Sequence, residues 1–169
     1  MDKSKRLDIP VTVDWKGRKS QRRHVLQWLI ENNNCRTMVE IGVRYGGTSF
    51  YLLNKFPDLK LYGIDTDISQ FYSGEIQERY KDRLVAIQGM SHTVTEMIPD
   101  NSVDIIFIDG DHSYEAVKKD IILYTPKLKD GGLLTGHDID YPGVNQAVTE
   151  LIENYDVAPN YVWFKKITR

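Results

Sequence analysis

Short apolar segments alternate with segments of helical periodicity along most of the chain, and this alternation constrains the fold more than any other feature of the sequence. The apolar segments predict strands at residues 37–41, 59–64, 84–88, 103–108, 132–135 and 161–167. The intervening segments predict helices at residues 20–32, 48–56, 68–80, 93–98, 114–124 and 143–154. Strands that are apolar throughout are typical of a parallel sheet covered by helices on both faces. The sequence therefore predicts an α/β fold with a doubly wound, mostly parallel sheet.

The composition is that of one globular domain. The chain has 169 residues, of which 41% are hydrophobic and 27% charged, and these are ordinary values for such a domain. No apolar run approaches the roughly 20 residues that a membrane helix needs, and no apolar stretch follows the charged N-terminus as in a secretory signal. Cys35 is the only cysteine, so no disulfide can form within the chain. We therefore expect a cytoplasmic protein without a membrane partner.

The N-terminal residues differ from the rest of the chain in charge and pattern. Residues 1–19 show little periodicity, so we predict an N-terminal extension there and a single domain over residues 20–169, with Ser20 capping the first helix. The first 23 residues hold eight basic and three acidic side chains, a net charge of +5, and the remaining residues carry −7. Basic arms can contact phosphates or nucleic acid, but a solvated terminus is the commoner case. We expect no nucleic-acid partner.

Ligands of doubly wound sheets bind beyond the carboxyl ends of the strands, so the loops after the predicted strands are the candidate sites. The first loop follows Glu40 and places glycine at 42, 46 and 47, where the backbone can approach a ligand closely. Its spacing is not the G-x-G-x-x-G of a pyrophosphate cradle. The second strand ends at Asp65, an acid suited to the two hydroxyls of a ribose.

The loops after the fourth and fifth strands carry most of the acids and imidazoles. Asp109, Asp111 and His112 follow the fourth strand, and His137 and Asp138 follow the fifth. Because both loops open at the same edge of the sheet, we expect Asp109 and Asp138 to converge with His137 beside them. Clusters of carboxylates suit magnesium or calcium. An imidazole is able to accept a proton near neutral pH, so His112 is a candidate general base.

Four segments, in order, resemble one known family. They are EIGVRYGGTS (40–49), GIDTDI (63–68), IFIDGDHSYEA (106–116) and LKDGGLLTGHD (128–138). They resemble class I S-adenosylmethionine-dependent methyltransferases, and most of all the methyltransferase-24 type, which includes macrocin- and mycinamicin-type sugar O-methyltransferases and cephalosporin hydroxylase-like proteins. The resemblance runs from about residue 37 to residue 151. It implies a Rossmann-like sheet of strand order 3-2-1-4-5-7-6, with the last strand reversed or one edge strand lacking.

The resemblance also implies roles for the matching residues. S-adenosylmethionine would be bound by a set of residues from the first four loops: Glu40, Gly42, Gly46, Thr48, Ser49, Asp65, Gly89, Ser91 and Asp109. Thr48 and Ser49 would hold its carboxylate, and residues 88–91 would lie near its adenine. Magnesium would be bound by Asp109, His137 and Asp138. Relatives carry a carboxylate at the position of His137, and magnesium prefers oxygen ligands. The histidine does not exclude the metal, and the alternative is that His137 acts as a base or holds a water.

The resemblance implies O-methylation of a small-molecule or sugar hydroxyl, with His112, Asp111 and His137 as candidate catalytic groups. Two alternatives remain at this stage: an oxidoreductase with a nucleotide cofactor, and a non-catalytic binding module that kept the fold. Tyr141, Tyr72 and Trp15 are candidate stacking groups for an acceptor, although peripheral packing is the commoner role for such residues. No separate acceptor-recognition domain is evident, so a homodimer could supply missing walls.

Overall fold

The computed structural model describes residues 5–6 and 21–169, and these form one sheet flanked by helices. The strands are β1 (Lys5–Arg6), β2 (Thr37–Ile41), β3 (Lys60–Asp65), β4 (Leu84–Gln88), β5 (Val103–Ile108), β6 (Leu128–Gly136), β7 (Asp156–Ala158) and β8 (Val162–Lys166). The helices are α1 (Arg22–Asn33), α2 (Gly47–Lys55), α3 (Gly74–Tyr80), α4 (Ser91–Val94), α5 (Tyr114–Tyr124) and α6 (Pro142–Leu151), with 3₁₀ turns at Thr95–Met97 and Thr125–Lys127.

The sheet has the predicted topology. Its order is β1-β7-β8-β6-β5-β2-β3-β4, so β2 to β8 reproduce the order 3-2-1-4-5-7-6 when they are counted as seven. The pairs from β6 to β4 are parallel, and β8 runs antiparallel to both β6 and β7. At the edge, β1 adds a parallel pair to β7. The prediction of a doubly wound, mostly parallel sheet with a reversed last strand is therefore confirmed.

The core has two apolar layers, one on each face of the sheet. Successive side chains of a strand point to opposite faces, and β5 shows this directly: Ile105 and Phe107 pack in one layer, whereas Ile106 and Ile108 pack in the other. The first layer also contains the apolar faces of α1 and α2, and the second contains those of α5 and α6. Burial on both faces explains why the strands are apolar throughout.

Several predicted boundaries differ from the structure. The predicted helix over residues 68–80 is wrong in its first half, because only α3 is helical. The segment before it turns so that the ring of Phe71 is buried against Phe50 and the backbone of Gly63. The sixth strand begins at Leu128 rather than at residue 132, and β7 was not predicted. Ser20 and Trp15 lie outside the described residues, and among residues 21–169 the N-cap of α1 is Gln21.

The described helices are all too short or too polar to cross a membrane. The division into an extension at 1–19 and a domain at 20–169 stays a prediction.

We expect Gly136→Ala to destabilise the fold. Gly136 in β6 pairs with the fully buried Trp163 of β8, and an added Cβ would lie 2.5 Å from the indole ring. Overpacking of this kind costs about 1–3 kcal/mol, which urea denaturation would measure as a loss of unfolding free energy. Gly74→Ala is the matched control, since no atom lies within 4 Å of the added methyl. Equal stability of the two variants would contradict the packing described for β6 and β8.

Candidate functional site

A cavity of about 530 Å³ opens at the carboxyl ends of β2, β3, β4 and β5. Parallel strands present these ends at a single edge of the sheet, as the sequence predicted for ligand binding. The cavity is lined by residues of four successive loops and of α5: Ile41, Gly42, Arg44, Ile64, Asp65, Thr66, Gly89, Met90, Ser91, His92, Asp109, Gly110, Asp111, Ala116 and Asp120. Of the nine predicted cofactor residues, five line it: Gly42, Asp65, Gly89, Ser91 and Asp109.

Gly42 allows the loop after β2 to lie directly against the loop after β5. Its φ is +86°, a conformation that favours glycine, and an added Cβ would lie 2.3 Å from the carbonyl oxygen of Asp109. The amide of Asp109 in turn donates to the carbonyl of Ile41 at 2.8 Å. Any side chain at position 42 would push the two loops apart and change the floor of the cavity.

Glu40 and Ser49 lie beneath the cavity rather than in its lining. Both side chains are buried, and the hydroxyl of Ser49 donates a short hydrogen bond to Oε2 of Glu40. Burial raises the pKa of Glu40 to about 8, although the bond from Ser49 opposes this. Thr48 is also buried, and Gly46 forms the N-cap of α2. Thus the structure gives Ser49 a partner within the protein, where the sequence predicted contact with a ligand carboxylate.

Asp65 is half-buried at the end of β3 and faces the cavity. Its Oδ2 accepts a hydrogen bond of 2.8 Å from the amide of Arg44, and its Oδ1 lies 3.3 Å from the amide of Asp67. These contacts fix the carboxylate where it can accept further hydrogen bonds from a ligand.

Asp120 is a lining residue that the sequence analysis missed. It lies on α5, and its buried carboxylate accepts a hydrogen bond of 2.5 Å from the hydroxyl of Ser91. Burial raises the pKa of Asp120 to about 6. Tyr124, one turn further along α5, donates to the carbonyl of Ser91. Together these bonds attach the loop after β4 to α5. An acid on the inner stripe of a helix was the available signal, since acids are rarely buried there without a partner.

Asp109, His137 and Asp138 converge beside the cavity, as predicted. One donor atom from each lies within 4.8 Å of the others. Nδ1 of His137 is 2.9 Å from Oδ1 of Asp138 and 3.5 Å from Oδ1 of Asp109. Oδ2 of Asp109 faces away from this group and pairs with Nε of Arg22 at 3.1 Å. The cluster therefore joins two carboxylates, an imidazole and one guanidinium.

Burial and charge act against each other on the two carboxylates. The side chain of Asp109 is only 8% exposed, and this burial raises its pKa, although Arg22 opposes the shift. Burial acts in the same direction on Asp138, but the adjacent imidazoles of His137 and His112 hold its pKa below the ordinary value. Asp138 is thus the more readily ionised member of the pair.

His112 contacts the same cluster from the loop after β5. Its Nε2 lies 2.6 Å from Oδ2 of Asp138, and its side chain is 38% exposed. The ring of Tyr141 lies 5.1 Å from the imidazole, centroid to centroid, and is 56% exposed.

Tyr72, by contrast, packs against the first core layer. Asp111 is exposed, and its Oδ1 accepts the amide of Ser113, which lowers its pKa.

We expect Glu40→Gln to change how stability depends on pH. The folded carboxyl keeps its proton up to about pH 8, whereas an ordinary glutamate releases it near 4.5. The folded state therefore binds more protons between these values, and stability falls as pH rises through this window. Glu40→Gln removes that contribution, so unfolding free energies should favour the variant increasingly from about pH 5 to about pH 8. Exposed Glu96→Gln is the control. Parallel curves for wild type and Glu40→Gln would contradict a neutral Glu40.

Two curated proteins of undetermined function are similar to the chain. One is protein y4gI of Sinorhizobium fredii, 30% identical over 128 residues, which covers 67% of this chain and 14% of that protein. The other is protein R132 of Acanthamoeba polyphaga mimivirus, 27% identical over 134 residues, covering 68% of this chain and 60% of that protein. The chain therefore spans less than two thirds of either relative.

Solved structures share the fold at low sequence identity. A Staphylococcus aureus protein provisionally assigned as a caffeoyl-CoA O-methyltransferase gives a TM-score of 0.70 at 22% identity, covering 88% of this chain and 83% of its own. CalS11, a TDP-rhamnose 3′-O-methyltransferase of calicheamicin biosynthesis, gives a TM-score of 0.66 at 19% identity. The match covers 86% of this chain and 76% of CalS11. The MycE methyltransferase of mycinamycin biosynthesis, solved with Mg and SAH, gives a TM-score of 0.65 at 20% identity. The match covers 86% of this chain and 49% of MycE.

The family assignment comes from the central part of the chain. A family model described as a methyltransferase domain matches residues 39–139, which include the loops after β2, β3, β4, β5 and β6. This match covers more than half of the chain, and the sheet order agrees with it. The chain belongs to this methyltransferase-domain family.

Proposed function

We propose that the chain is an S-adenosylmethionine-dependent methyltransferase that O-methylates a hydroxyl of a small molecule or sugar. The observation that carries the proposal is the continuity between the cavity and the acid–imidazole cluster. Asp109 belongs to both, since it lines the cavity and lies 3.5 Å from His137. A cofactor in the cavity would therefore have its reactive end next to groups able to bind and deprotonate an acceptor.

The cavity supports binding of a nucleoside cofactor in an extended pose. Asp65 would accept hydrogen bonds from the ribose hydroxyls, and the loop of Gly89 and Ser91, held by Asp120, would face the adenine. Gly42 lines the cavity without a side chain, so it would not obstruct the methionine part. The chain has no G-x-G-x-x-G segment, which favours this cofactor over a dinucleotide.

The reaction needs alignment of two molecules and removal of one proton. Methyl transfer would form a bond from the acceptor oxygen to the methyl carbon as the carbon–sulfur bond breaks, and the electron pair of that bond would stay on the sulfur of S-adenosylhomocysteine. The hydroxyl proton passes to His112. Because Nε2 of His112 faces Asp138, Nδ1 is the nitrogen that is left to accept it. Asp138 would then stabilise the imidazolium, while the carboxylate of Asp111 remains bonded to the amide of Ser113.

The cluster of Asp109, His137 and Asp138 fits a divalent metal ion. Nδ1 of His137 is buried and has no hydrogen-bond partner among residues 21–169, although two carboxylate oxygens lie near it. A buried nitrogen of this kind is available to coordinate an ion. A bound ion would draw electron density from the acceptor hydroxyl and make its proton easier to remove.

The acceptor, location and assembly complete the proposal. The sugar O-methyltransferases among the structural neighbours favour a sugar or another hydroxylated small molecule over a nucleic acid. Exposed Tyr141 beside His112 offers a flat surface for such a ring. A chain with one buried cysteine suits the cytoplasm, and a homodimer would supply further walls to the acceptor site.

We expect Asp65→Ala to weaken binding of S-adenosylhomocysteine. Loss of hydrogen bonds to a carboxylate costs about 1–3 kcal/mol, or roughly 5- to 150-fold in Kd, which isothermal titration calorimetry would measure. Asp67→Ala is the control, because the carboxylate of Asp67 accepts a hydrogen bond from the amide of Ser69 and does not line the cavity. Unchanged affinity in Asp65→Ala would exclude the ribose contact. Binding of NAD instead of S-adenosylhomocysteine would favour the oxidoreductase alternative.

We expect His112→Ala to bind S-adenosylhomocysteine normally and to lose most methyl transfer. Removal of a positioned base lowers turnover by about 10²–10⁴, measured on any hydroxyl acceptor that the wild type methylates. Asp111→Asn should retain most activity, because its role is to bond the amide of Ser113. If Asp111→Asn lost turnover while His112→Ala kept it, the base would be Asp111. If neither variant changed the rate, the binding-module alternative would gain.

A further inference from the structure

We propose that the cluster of Asp109, His137 and Asp138 selects a metal ion that accepts nitrogen ligation, Mn²⁺ being the representative, over Mg²⁺. The inference rests on the proposed function only in taking this cluster as the metal site. It goes beyond that function because it assigns a ligand atom, Nδ1 of His137, and from it the class of ion.

The orientation of His137 is the first observation. The side chain is 13% exposed, and its Nδ1 atom is buried without a hydrogen bond among the described residues. Oδ1 of Asp138 lies 2.9 Å from it as an ion-pair contact within the cluster. A buried nitrogen without a bonded partner is costly. Coordination of a cation between the three groups would remove this cost.

The backbone supports the same conclusion. Asp138 has a φ of +54°, a left-handed conformation that is uncommon outside glycine. It brings two successive side chains, those of His137 and Asp138, to the same side of the chain. The hydrogen bond from the amide of His137 to the carbonyl of Ile108 holds this turn against β5.

The distances between donor atoms suit one small ion. Ligands at about 2.1 Å from an octahedral ion lie about 3 Å from their neighbours. Nδ1 of His137 is 2.9 Å and 3.5 Å from the nearest oxygens of Asp138 and Asp109. The second oxygen of each carboxylate is already engaged, by His112 for Asp138 and by Arg22 for Asp109. Each residue thus offers one free donor atom towards the same space.

The donor types decide the class of ion. Mg²⁺ prefers oxygen ligands and keeps several waters. Fe²⁺ and Zn²⁺ are suited to imidazole, and Mn²⁺ is the first ion of the transition-metal series whose affinity for mixed nitrogen and oxygen sites rises towards Cu²⁺. The guanidinium of Arg22 also offsets part of the negative charge of Asp109, which weakens attraction for an ion held mainly by charge. One imidazole nitrogen and two carboxylate oxygens therefore favour the transition-metal ion.

The experiment uses the full chain, stripped of metal with EDTA and titrated with MnCl₂ or MgCl₂ by calorimetry. We expect Mn²⁺ to bind at least about tenfold more tightly than Mg²⁺. Electron spin-echo spectroscopy of the Mn²⁺-loaded protein should show coupling to ¹⁴N. His137→Asp should lose the coupling and narrow the preference for Mn²⁺, since it restores a third carboxylate. His112→Ala should keep the coupling, which would identify His137 as its source.

Each other outcome contradicts the inference in a different way. Coupling to ¹⁴N in wild type that disappears only in His112→Ala would make His112 the ligand. Mn²⁺ bound without coupling would keep the metal site and exclude nitrogen ligation. Failure of both ions to bind would leave His137 as an ion-pair partner only, and binding of S-adenosylhomocysteine to the same sample would show that the methyltransferase proposal survives. The wild-type spectrum decides these cases even if His137→Asp does not fold.

Discussion

The parallel pairing of β2 with β5 is the constraint on which the site depends. It aligns Ile41 with Ile108, so the loops that follow leave the sheet side by side. Gly42 is then in contact with the backbone of Asp109, and no larger residue would fit between them. The cavity floor and the acid beside the cluster are therefore set by one backbone contact. The apolar layers on both faces of β5 hold this contact in place.

The site concentrates acids whose charge the fold only partly offsets. Burial raises the pKa of Glu40, Asp109 and Asp120, and the group that opposes the shift most strongly is Ser49, Arg22 and Ser91 respectively. Such an arrangement costs folding stability in the empty protein. It suits a protein that acquires positive charge on binding, because a sulfonium cofactor or a metal ion would offset the negative charge of these acids.

Asp138 connects the two chemical tasks of the proposed mechanism. Oδ1 lies towards His137 and the proposed metal site, whereas Oδ2 lies 2.6 Å from Nε2 of His112. A change in charge at one oxygen alters the other, so the proposed ion binding and the proposed proton transfer would share one carboxylate. Arg22 makes a comparable link, since it joins α1 to Asp109.

The sequence by itself determined the alternation of strands and helices, the parallel sheet and the edge where the cavity lies, because local periodicity and apolar strands are sufficient to predict them. It also placed Gly42, Asp65, Asp109, His112, His137 and Asp138 at strand ends. Only the tertiary structure decided which partner each group has. The bond of Ser49 to Glu40, the contact of Asp120 with the loop after β4, the pairing of Arg22 with Asp109 and the left-handed turn at Asp138 all join residues through space or backbone conformation. Such contacts depend on how helices pack across the sheet, and no local pattern in the chain encodes that packing.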